Sequence, residues 1–300
     1  MPENQVILIT GSNSGFGNLM SRTFLEKGYT VFASMRNLTG KNSAAAEELK
    51  TSTADMPGKL HLIELDVVDG KSVQKAVAEV LHLESRIDVV INNAGYGLGG
   101  LAESVTDEQL LHQFDVNVFG VHRVMRAVLP AMHQQKAGLI INVSSIVGRV
   151  VIPFSTVYTA SKFALEGLTE SYRYELNGRG IDVVLVEPGG YGTNFIANRI
   201  SGNDTDRLSA YDDLAERSDR MRTDFKKHIF SDNAPKPRDV ADTVLKLAET
   251  PAGQRPFRTV VASPESAQGP VAINKLCEDV QKKMLTAWDM ADLLSVNTTP

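Results

Sequence analysis

Cysteine is nearly absent from this sequence, because Cys277 is the single one among 300 residues. One thiol cannot form an internal disulfide, which excludes a disulfide-stapled secreted fold and predicts a reducing, cytoplasmic location. Long apolar runs are also missing, and none approaches the roughly 20 residues that a membrane helix needs. Residues 1–5 have no cationic start, so no signal peptide is predicted.

Neither the charge nor the histidines indicate a nucleic-acid or metal partner. The net charge is −5 and no basic cluster stands out, whereas nucleic-acid binding requires a basic stripe. The 6 histidines are scattered, and none forms a His/Cys/carboxylate group with metal-ligand spacing. A serine hydrolase is disfavoured because no Gly-x-Ser-x-Gly elbow occurs. The hydrophobic content of 42% is enough for a large core.

Short β-rich runs alternate with helical patterns along most of the chain. Strands are predicted at residues 6–10, 29–35, 60–66, 87–92, 139–144, 181–187 and 258–262. Helices are predicted from the first glycines to about residue 27 and at residues 43–55, 71–84, 107–135, 158–177 and 238–249. Strands separated by helices imply right-handed crossovers. We therefore expect an α/β fold, a doubly wound (Rossmann) parallel sheet of about seven strands with helices on both faces.

Two segments depart from this alternation. Residues 194–237 mix apolar side chains with many charges and are too long for a simple connection. They are predicted to form a helical lid, and a surface insertion with ordinary core contacts is the alternative. Residues 264–294 are predicted to form a helical tail that packs on the body or on a partner chain. Both segments are assigned to one domain that covers residues 1–300.

A glycine-rich loop joins the first predicted strand to the first helix. Its sequence is Thr10-Gly11-Ser12-Asn13-Ser14-Gly15-Phe16-Gly17. Glycines let the backbone approach a diphosphate, and a helix N-terminus offers free N–H groups and positive potential. Placed directly after an apolar strand, this loop predicts a dinucleotide site. Its glycine spacing, three residues and then one, differs from the usual fingerprint of one and then two.

The pentad Tyr158-Thr-Ala-Ser-Lys162 places a phenol and an ammonium about one helical turn apart, so both emerge from one face. A free tyrosine has a pKa of about 10 and is a poor acid–base catalyst at neutral pH. A cation at about 4 Å, in a medium of effective dielectric about 20, favours the phenolate by up to roughly 4 kcal/mol. Lys162 is therefore predicted to lower the pKa of Tyr158. Taken alone, such a pentad is more often a surface tyrosine and lysine.

The glycine spacing is that of the short-chain dehydrogenase/reductase superfamily, which the chain resembles over about residues 6–193. Further motifs match the superfamily at the expected intervals. They are Asp66-Val67, Asn92-Asn93-Ala94-Gly95, Asp115-Val116-Asn117, Ser145 thirteen residues before Tyr158, and Pro188-Gly189 followed by Thr193. Within the superfamily the chain looks most like the 17β-hydroxysteroid dehydrogenase-like branch. The cues for that branch are Ala33-Ser34-Met35-Arg36, Glu187-Pro188-Gly189 and the long C-terminal tail.

The resemblance implies a role for each matching position. The implied catalytic residues are Asn117, Ser145, Tyr158 and Lys162. The implied cofactor-binding residues are Gly11, Ser12, Asn13, Gly15, Phe16, Gly17, Arg36, Asn37, Asp66, Val67, Asn93, Ala94, Gly95, Tyr158, Lys162, Pro188, Gly189 and Thr193. Tyr158 would supply the proton, Lys162 would grip the nicotinamide ribose, and Ser145 would hydrogen-bond the carbonyl oxygen. Asn117 would hold a water that links Lys162 to solvent.

Each of these motifs also has an ordinary structural interpretation. Asp66 could cap a helix, and Asn117 could satisfy buried backbone groups. Ser144 or Ser145 could be a turn serine, and the choice of Ser145 over Ser144 rests on its spacing from Tyr158.

The cofactor is predicted from the end of the second strand. An acidic residue there would bind the ribose 2′-OH of NAD. This chain has Ser34-Met35-Arg36-Asn37 instead. Arg36 can offer a forked cation to a 2′-phosphate, with Ser12 and Asn37 as further donors. NADP(H) is therefore the predicted cofactor, although Ser14 stands at a loop position that is basic in many NADP users of the superfamily.

The implied function is that of an NADP(H)-dependent alcohol dehydrogenase or carbonyl reductase. Apolar residues within positions 194–230 predict a hydrophobic or amphipathic alcohol, ketone or aldehyde as substrate. Two alternatives remain, a nucleotide-sensing protein that has lost turnover and a sugar-nucleotide epimerase or dehydratase. Because superfamily members are usually dimers or tetramers, a homodimer or homotetramer is expected, with the helices at 107–135 and 158–177 at the subunit contact.

Overall fold

The computed structural model of the protein describes residues 5–297. Its strands are β1 (Val6–Ile9), β2 (Thr30–Met35), β3 (Lys59–Glu64), β4 (Val89–Asn92), β5 (Leu98–Gly99), β6 (Gly138–Val143), β7 (Ile181–Pro188), β8 (Ile200–Ser201) and β9 (Arg258–Val261). Seven of them form one parallel sheet with the order β3-β2-β1-β4-β6-β7-β9. The short strands β5 and β8 pair with each other.

Helices surround this sheet. They are α1 (Gly15–Glu26), α2 (Ser43–Ser52), α3 (Gly70–Glu84), α4 (Asp107–Phe114), α5 (Gly120–Gln135), α6 (Thr156–Asn177), α7 (Asn194–Ala197), α8 (Leu214–Ile229), α9 (Arg238–Glu249) and α10 (Pro264–Ala287). The predicted doubly wound fold is confirmed. Among residues 5–297, no helix combines the length and the apolar character that crossing a membrane requires.

Two apolar clusters, one on each face of the sheet, explain why the central strands are apolar throughout. In β1, Ile7 belongs to one cluster and Leu8 to the other, because successive side chains of a strand point to opposite faces. Phe24 of α1 packs into the first cluster, and Val77 of α3 and Val128 of α5 pack into the second. A strand that is covered on both faces has no solvent-exposed side that would favour polar residues, which is typical of a parallel sheet.

The helical region predicted at 107–135 is interrupted by one π-helical turn at Asp115–Phe119, between α4 and α5. Asn117 lies in this turn and is 1% exposed. At its end, Gly120 packs so closely on Val67 that a Cβ atom would lie 2.9 Å from the valine Cβ. Insertions of this kind are frequent at functional sites because they redirect one side chain without ending the helix.

The segment 194–237 contains α7, β8, a 3-10 turn at Asp206–Tyr211, and α8. Through β8 it is anchored on β5, since Leu98 pairs with Ile200 and Gly99 with Ser201. Helix α8 buries Ile229, which is 2% exposed. The segment is therefore fixed near the carboxyl end of the sheet rather than spread over a distant surface.

The C-terminal helix α10 packs on the body of the same chain. Asn274 Nδ2 donates to Glu187 Oε2 at 2.7 Å, and Arg149 Nη2 lies 2.9 Å from Cys277 Sγ. Further along, Asn177 Nδ2 donates to the Leu293 carbonyl at 2.7 Å. Of the two placements predicted for the tail, the structure shows the packing on the body.

A buried charge cluster lies beneath this contact. Arg258 Nε is 2.8 Å from Glu166 Oε2 and 3.6 Å from Glu187 Oε1, and Arg258 Nη2 is 2.8 Å from Glu170 Oε2. Burial, helped by the neighbouring Glu166 carboxylate, raises the pKa of the Glu187 carboxyl to about 7. Folding therefore favours the protonated form of Glu187.

This shift predicts a pH-dependent cost in stability. A carboxyl whose pKa rises on folding, from an unfolded value of about 4.3, lowers the free energy of unfolding as pH increases through that interval. Glu187→Gln cannot ionise at this position. The difference between its melting temperature and that of the wild type should therefore become more positive as the pH rises from 5 to 8. The exposed Glu79→Gln is the matched control and should show no such gain. A Glu187→Gln difference that does not change with pH would contradict the assignment.

Candidate active site

The site lies at the carboxyl edge of the sheet, where the strand order reverses. From β1 the chain winds outward to β2 and β3, and from β4 it winds the other way to β6, β7 and β9. A crevice opens at the carboxyl ends of the strands at such a reversal, and ligands bind there in folds of this type. The glycine-rich loop follows β1 and the turn 92–95 follows β4, so the topology brings these two motifs together.

Hydrogen bonds lock the turn after β4 onto the glycine-rich loop. Thr10 Oγ1 accepts from the backbone N–H groups of Asn93 and Ala94, each at 3.0 Å. Asn93 Nδ2 donates to the carbonyls of Thr10 at 2.9 Å and Gly11 at 3.1 Å. Gly11 has φ +71°, and a Cβ atom there would lie 2.8 Å from Ala94 Cα. The loop is therefore held in a conformation that only glycine fits without strain.

The loop leaves the N-terminus of α1 open. The residue before the helix, Ser14, makes no capping hydrogen bond with its side chain, and Gly15 has φ +55°. Uncapped N–H groups in the first turn of a 12-residue helix, beside a loop of glycines, fit a diphosphate. Ser12 is different, since its hydroxyl is fully buried and donates to the Ile9 carbonyl at 3.2 Å. Its side chain is thus engaged inside the loop rather than free for a 2′-phosphate.

The end of β3 supplies Asp66 and Val67. Asp66 Oδ1 accepts from the Val68 N–H at 3.1 Å. The following helix α3 is capped by Asp69, whose side chain accepts from the Lys71 N–H. Asp66 is therefore not the helix cap, and Val67 is buried against α5.

A carboxylate that sequence reasoning missed lies beside Arg36 and Asn37. Glu64 Oε1 accepts from the Asn37 N–H at 3.2 Å, and Oε2 accepts from the Leu38 N–H at 3.0 Å. Glu64 ends β3 and pairs in register with Met35, the last residue of β2. The signal was available only in the pairing of the two strands, because β2 itself carries no acid. Arg36 is exposed at this turn.

Helix α6 buries Lys162 and leaves Tyr158 half-buried. Lys162 is 7% exposed, and its Nζ donates to the Val143 carbonyl at 2.9 Å. The same Nζ lies 5.8 Å from the centroid of the Tyr158 ring. The surface interpretation of the pentad is therefore wrong.

Asn117 reaches α6 from the π-helical turn. Its Nδ2 donates to the Tyr96 carbonyl and to Ser161 Oγ, each at 3.1 Å, and its Oδ1 accepts from the Tyr96 N–H at 3.2 Å. Ser161 Oγ in turn donates to the Tyr158 carbonyl at 2.7 Å. The side chain thus satisfies buried backbone, as the ordinary interpretation holds, and it also ties the turn after β4 to the helix of Tyr158.

The two serines after β6 have different surroundings. Ser145 Oγ accepts from the Val147 N–H and donates to the Pro188 carbonyl, both at 3.3 Å, and the same hydroxyl lowers the pKa of the Tyr158 phenol. In the described part of the chain, Ser144 Oγ is buried without a hydrogen-bond partner. Ser145 is therefore the serine that shares a site with the phenol.

Burial sets the charge states of this cluster. It raises the pKa of the Tyr158 phenol to about 12, against the lowering effects of the Ser145 hydrogen bond and the Arg199 cation. It lowers the pKa of the Lys162 ammonium to about 8, against the raising effect of Glu166. The predicted lowering of the Tyr158 pKa by Lys162 is wrong for this arrangement. Desolvation outweighs the nearby charge, and the cation that acts on the phenol is Arg199.

The loop after β7 spans from the glycine-rich loop to Tyr158. The Gly189 N–H donates to the Val261 carbonyl at 2.8 Å, which fixes the start of the loop on β9. Thr193 lies against Gly15, with 3.6 Å between the threonine Cβ and an ideal Cβ on the glycine. The ring of Phe195 then lies 5.5 Å from the ring of Tyr158. Phe195 and Arg199 are site neighbours that sequence reasoning did not identify.

Comparison with known proteins supports the same conclusion. The family model described as short chain dehydrogenase matches residues 5–204. A 3-ketodihydrosphingosine reductase from Bacteroides thetaiotaomicron is 35% identical over 257 residues, which cover 86% of this chain and 87% of that protein. Human 17-beta-hydroxysteroid dehydrogenase type 1 is 34% identical over 249 residues, with 82% of this chain and 74% of that protein covered. The predicted likeness to that branch is confirmed.

Solved structures agree with the fold. A short-chain dehydrogenase from Streptomyces avermitilis has a TM-score of 0.73 at 28% identity and covers 95% of this chain and 97% of its own. Other solved relatives hold NADH at 25% identity or NADP+ at 26% identity. The chain therefore belongs to the short-chain dehydrogenase/reductase superfamily of oxidoreductases.

Proposed function

We propose that this protein is an NADP(H)-dependent oxidoreductase that interconverts an alcohol and a ketone or aldehyde at a site made of Asn117, Ser145, Tyr158 and Lys162. The observation that carries the proposal is the meeting of a half-buried Tyr158 with buried Ser145 and Lys162 at the carboxyl edge of the sheet. The Lys162 Nζ lies 5.8 Å from the centroid of the phenol ring, and the Ser145 hydroxyl lowers the pKa of that phenol. The open N-terminus of α1, preceded by its glycines, lies at the same edge and fits the diphosphate of the cofactor.

When bound, the nicotinamide of the cofactor supplies or accepts the hydride. The protein supplies the proton and the hydrogen bonds. In the reductive direction Tyr158 donates its hydroxyl proton to the substrate oxygen, and the Ser145 hydroxyl stabilises the charge that develops there. In the oxidative direction the ionised Tyr158 oxygen accepts the proton of the alcohol, and the Ser145 hydroxyl hydrogen-bonds the same substrate oxygen.

Lys162 and Asn117 are proposed to support that proton transfer. A lysine with a pKa near 8 exchanges protons at physiological pH, so its ammonium can return a proton toward the phenol. Asn117 holds α6 in place through Ser161 and the Tyr158 carbonyl. A water held by Asn117 would complete the path from Lys162 to solvent.

We propose that the segment 194–237 is the lid over a largely hydrophobic substrate. The cavity beside it has apolar walls from Ile152, Phe154, Met221 and Phe225. Phe195 brings the segment into contact with the Tyr158 ring. An alcohol or ketone with an apolar chain would bury that chain between these side chains, and the lid would exclude water from the reacting oxygen.

The test is NADPH oxidation and NADP+ reduction with a panel of carbonyl compounds and alcohols. Tyr158→Phe keeps the ring and removes the transferable proton, so its kcat should fall at least about 100-fold. Tyr174→Phe removes a hydroxyl from the same helix, where it donates to Glu170, and should leave kcat within about 2-fold.

Near-normal turnover by Tyr158→Phe would refute the assignment of the acid. Cofactor binding by the wild type without turnover of any compound would instead favour the nucleotide-sensing alternative.

The preference for NADP(H) is proposed from Arg36. Its guanidinium is exposed at the end of β2, where a 2′-phosphate would be held, and it can bind a phosphate through two parallel N–H groups. The Glu64 carboxylate is already hydrogen-bonded to the Asn37 and Leu38 N–H groups. That engagement leaves Arg36 as the group at this turn suited to the extra charge of NADP.

Arg36→Ala should raise the KM for NADPH about 10-fold and leave the KM for NADH within about 2-fold, because only the phosphate contact is lost. Arg179→Ala, an exposed arginine after α6, is the control and should change neither value. A wild-type kcat/KM with NADH that equals or exceeds the value with NADPH would refute the proposed preference for NADP(H).

A homodimer or homotetramer is also proposed. Exposed apolar side chains lie on the helices predicted for the subunit contact, with Leu111 62%, Phe119 48% and Phe163 41% exposed. Such residues on neighbouring helices favour burial against a second copy. Light scattering should therefore give a multiple of 32.7 kDa, and the mass of one chain at assay concentration would contradict the proposal. The cytoplasmic location remains a prediction.

A further inference from the structure

Arg199 is a cation inside the lid segment that has only neutral acceptors. Its Nη2 donates to the Phe154 carbonyl at 2.8 Å and to Ser155 Oγ at 2.7 Å. Its guanidinium packs on Gly99, where any Cβ atom would overlap it. Within residues 5–297 the charged groups that act on it are Tyr158 and Arg222, and neither is a carboxylate.

This arrangement leaves the guanidinium incompletely satisfied. The two Nη2 hydrogens are used, so Nε–H and both Nη1 hydrogens remain for another acceptor. Burial lowers the pKa of Arg199 from its usual value, since water is partly excluded from the charge. A charge withdrawn from water is costly unless an opposite charge accompanies it. Arg199 is half-buried, so water reaches its unused donors, and the acid of the cavity described above, Asp219, is paired with Arg222 instead. An anionic ligand that displaces this water would supply the missing opposite charge.

The position of Arg199 connects it to the reacting group. Ser155, its hydrogen-bond partner, precedes α6 by one residue and Tyr158 by three. Phe195, four residues before Arg199, contacts the Tyr158 ring. Arg199 also lines the cavity whose apolar walls are described above. Arg199 therefore joins this cavity to the start of the helix that carries Tyr158.

The second arginine of this cavity, Arg222, is less suited to bind an anionic ligand. Arg222 already pairs with Asp219, with 2.9 Å between Nη2 and Oδ1, and its side chain is 55% exposed. Solvent screens such a pair and satisfies its donors. Of the two cavity arginines, Arg199 is thus the one without a carboxylate partner in the described part of the chain.

We infer that Arg199 forms an anion subsite, and that the substrate is an amphipathic carbonyl compound or alcohol that carries a carboxylate or phosphate group. The apolar walls hold the chain of the substrate, and the free N–H groups of Arg199 bind its anionic end. This inference rests on the proposed function and deepens it, because it identifies a feature that substrates must have.

Kinetics with matched substrates test the inference. Medium-chain methyl ketones of equal length that end in a methyl, a carboxylate or a phosphate group would be compared with NADPH. The wild type should favour one anionic ketone over the methyl-terminated one, and the better anion identifies the natural group. Arg199→Gln should lower the ratio of kcat/KM for that anion to kcat/KM for the neutral ketone about 10- to 100-fold, mainly through a higher KM for the anion. Arg199→Lys should retain part of the preference.

A matched control is Arg220→Gln, an exposed arginine on α8, which should keep the wild-type preference. An equal loss for all three ketones in Arg199→Gln would show that Arg199 only fastens the lid to residues 154–155, and it would overturn the inference. A wild type that turns over the neutral ketone as well as the anionic ones would also overturn it, while the proposed function would stand.

Binding gives a readout that does not depend on turnover. Octanoate and octyl phosphate have an anionic end and no carbonyl that could be reduced. In calorimetric titrations with NADP+ present, at least one should bind the wild type and lose about 10-fold or more in affinity in Arg199→Gln, but not in Arg220→Gln. Equal affinities in the wild type and Arg199→Gln would overturn the inference even if no ketone were reduced.

Discussion

The hydrogen bond from the Lys162 ammonium to the Val143 carbonyl is the interaction on which the site depends. It joins the buried face of α6 to the end of β6 at 2.9 Å. An ammonium in this position needs such a partner, because burial without hydrogen bonds is unfavourable for a charge. The bond therefore fixes the rotation of α6, and with it the direction of Tyr158. Ser145 lies two residues after the end of β6, so the same strand end also positions this serine.

A second set of contacts holds the other wall of the site. Asn117 bonds both backbone groups of Tyr96 and reaches Ser161 on α6. Asn93 and Thr10 join the turn after β4 to the glycine-rich loop. The chain of contacts runs from the proposed diphosphate site through the turn after β4 to the helix of the proposed acid. The two walls are thus joined by hydrogen bonds.

The fold and the main motifs could be predicted because both are local in the sequence. A strand buried on both faces, such as β1, must be apolar at every position, and its glycine-rich loop follows at once. A kink at Asn117 was implied by the resemblance, but its form as a π-helical turn at Asp115–Phe119 and the bonds of Asn117 to Tyr96 and Ser161 could not be predicted, because those partners lie far apart in the sequence. Glu64 and Arg199 were missed for a related reason. Each meets its neighbours through strand pairing or an insertion that returns from far along the chain.

The pKa of Tyr158 shows the same limit most clearly. Sequence spacing gives the distance to Lys162 along the helix, but it does not report how much water the fold removes from the phenol. Desolvation raises that pKa to about 12, and the opposing influences come from Ser145 and Arg199. Neither residue lies on α6, so the helical spacing of the pentad carries no information about them. Electrostatics in a buried site thus depends on the assembled surroundings rather than on the motif.

The most direct test of the central claim is a crystal structure of the protein with NADP+ and an alcohol substrate. The account places the alcohol oxygen within about 3.3 Å of both Tyr158 Oη and Ser145 Oγ, with the diphosphate at the N-terminus of α1 and Lys162 still bonded to Val143. A structure in which the Tyr158 hydroxyl points away from the alcohol, or in which the alcohol lies beyond hydrogen-bond reach of both residues, would contradict it.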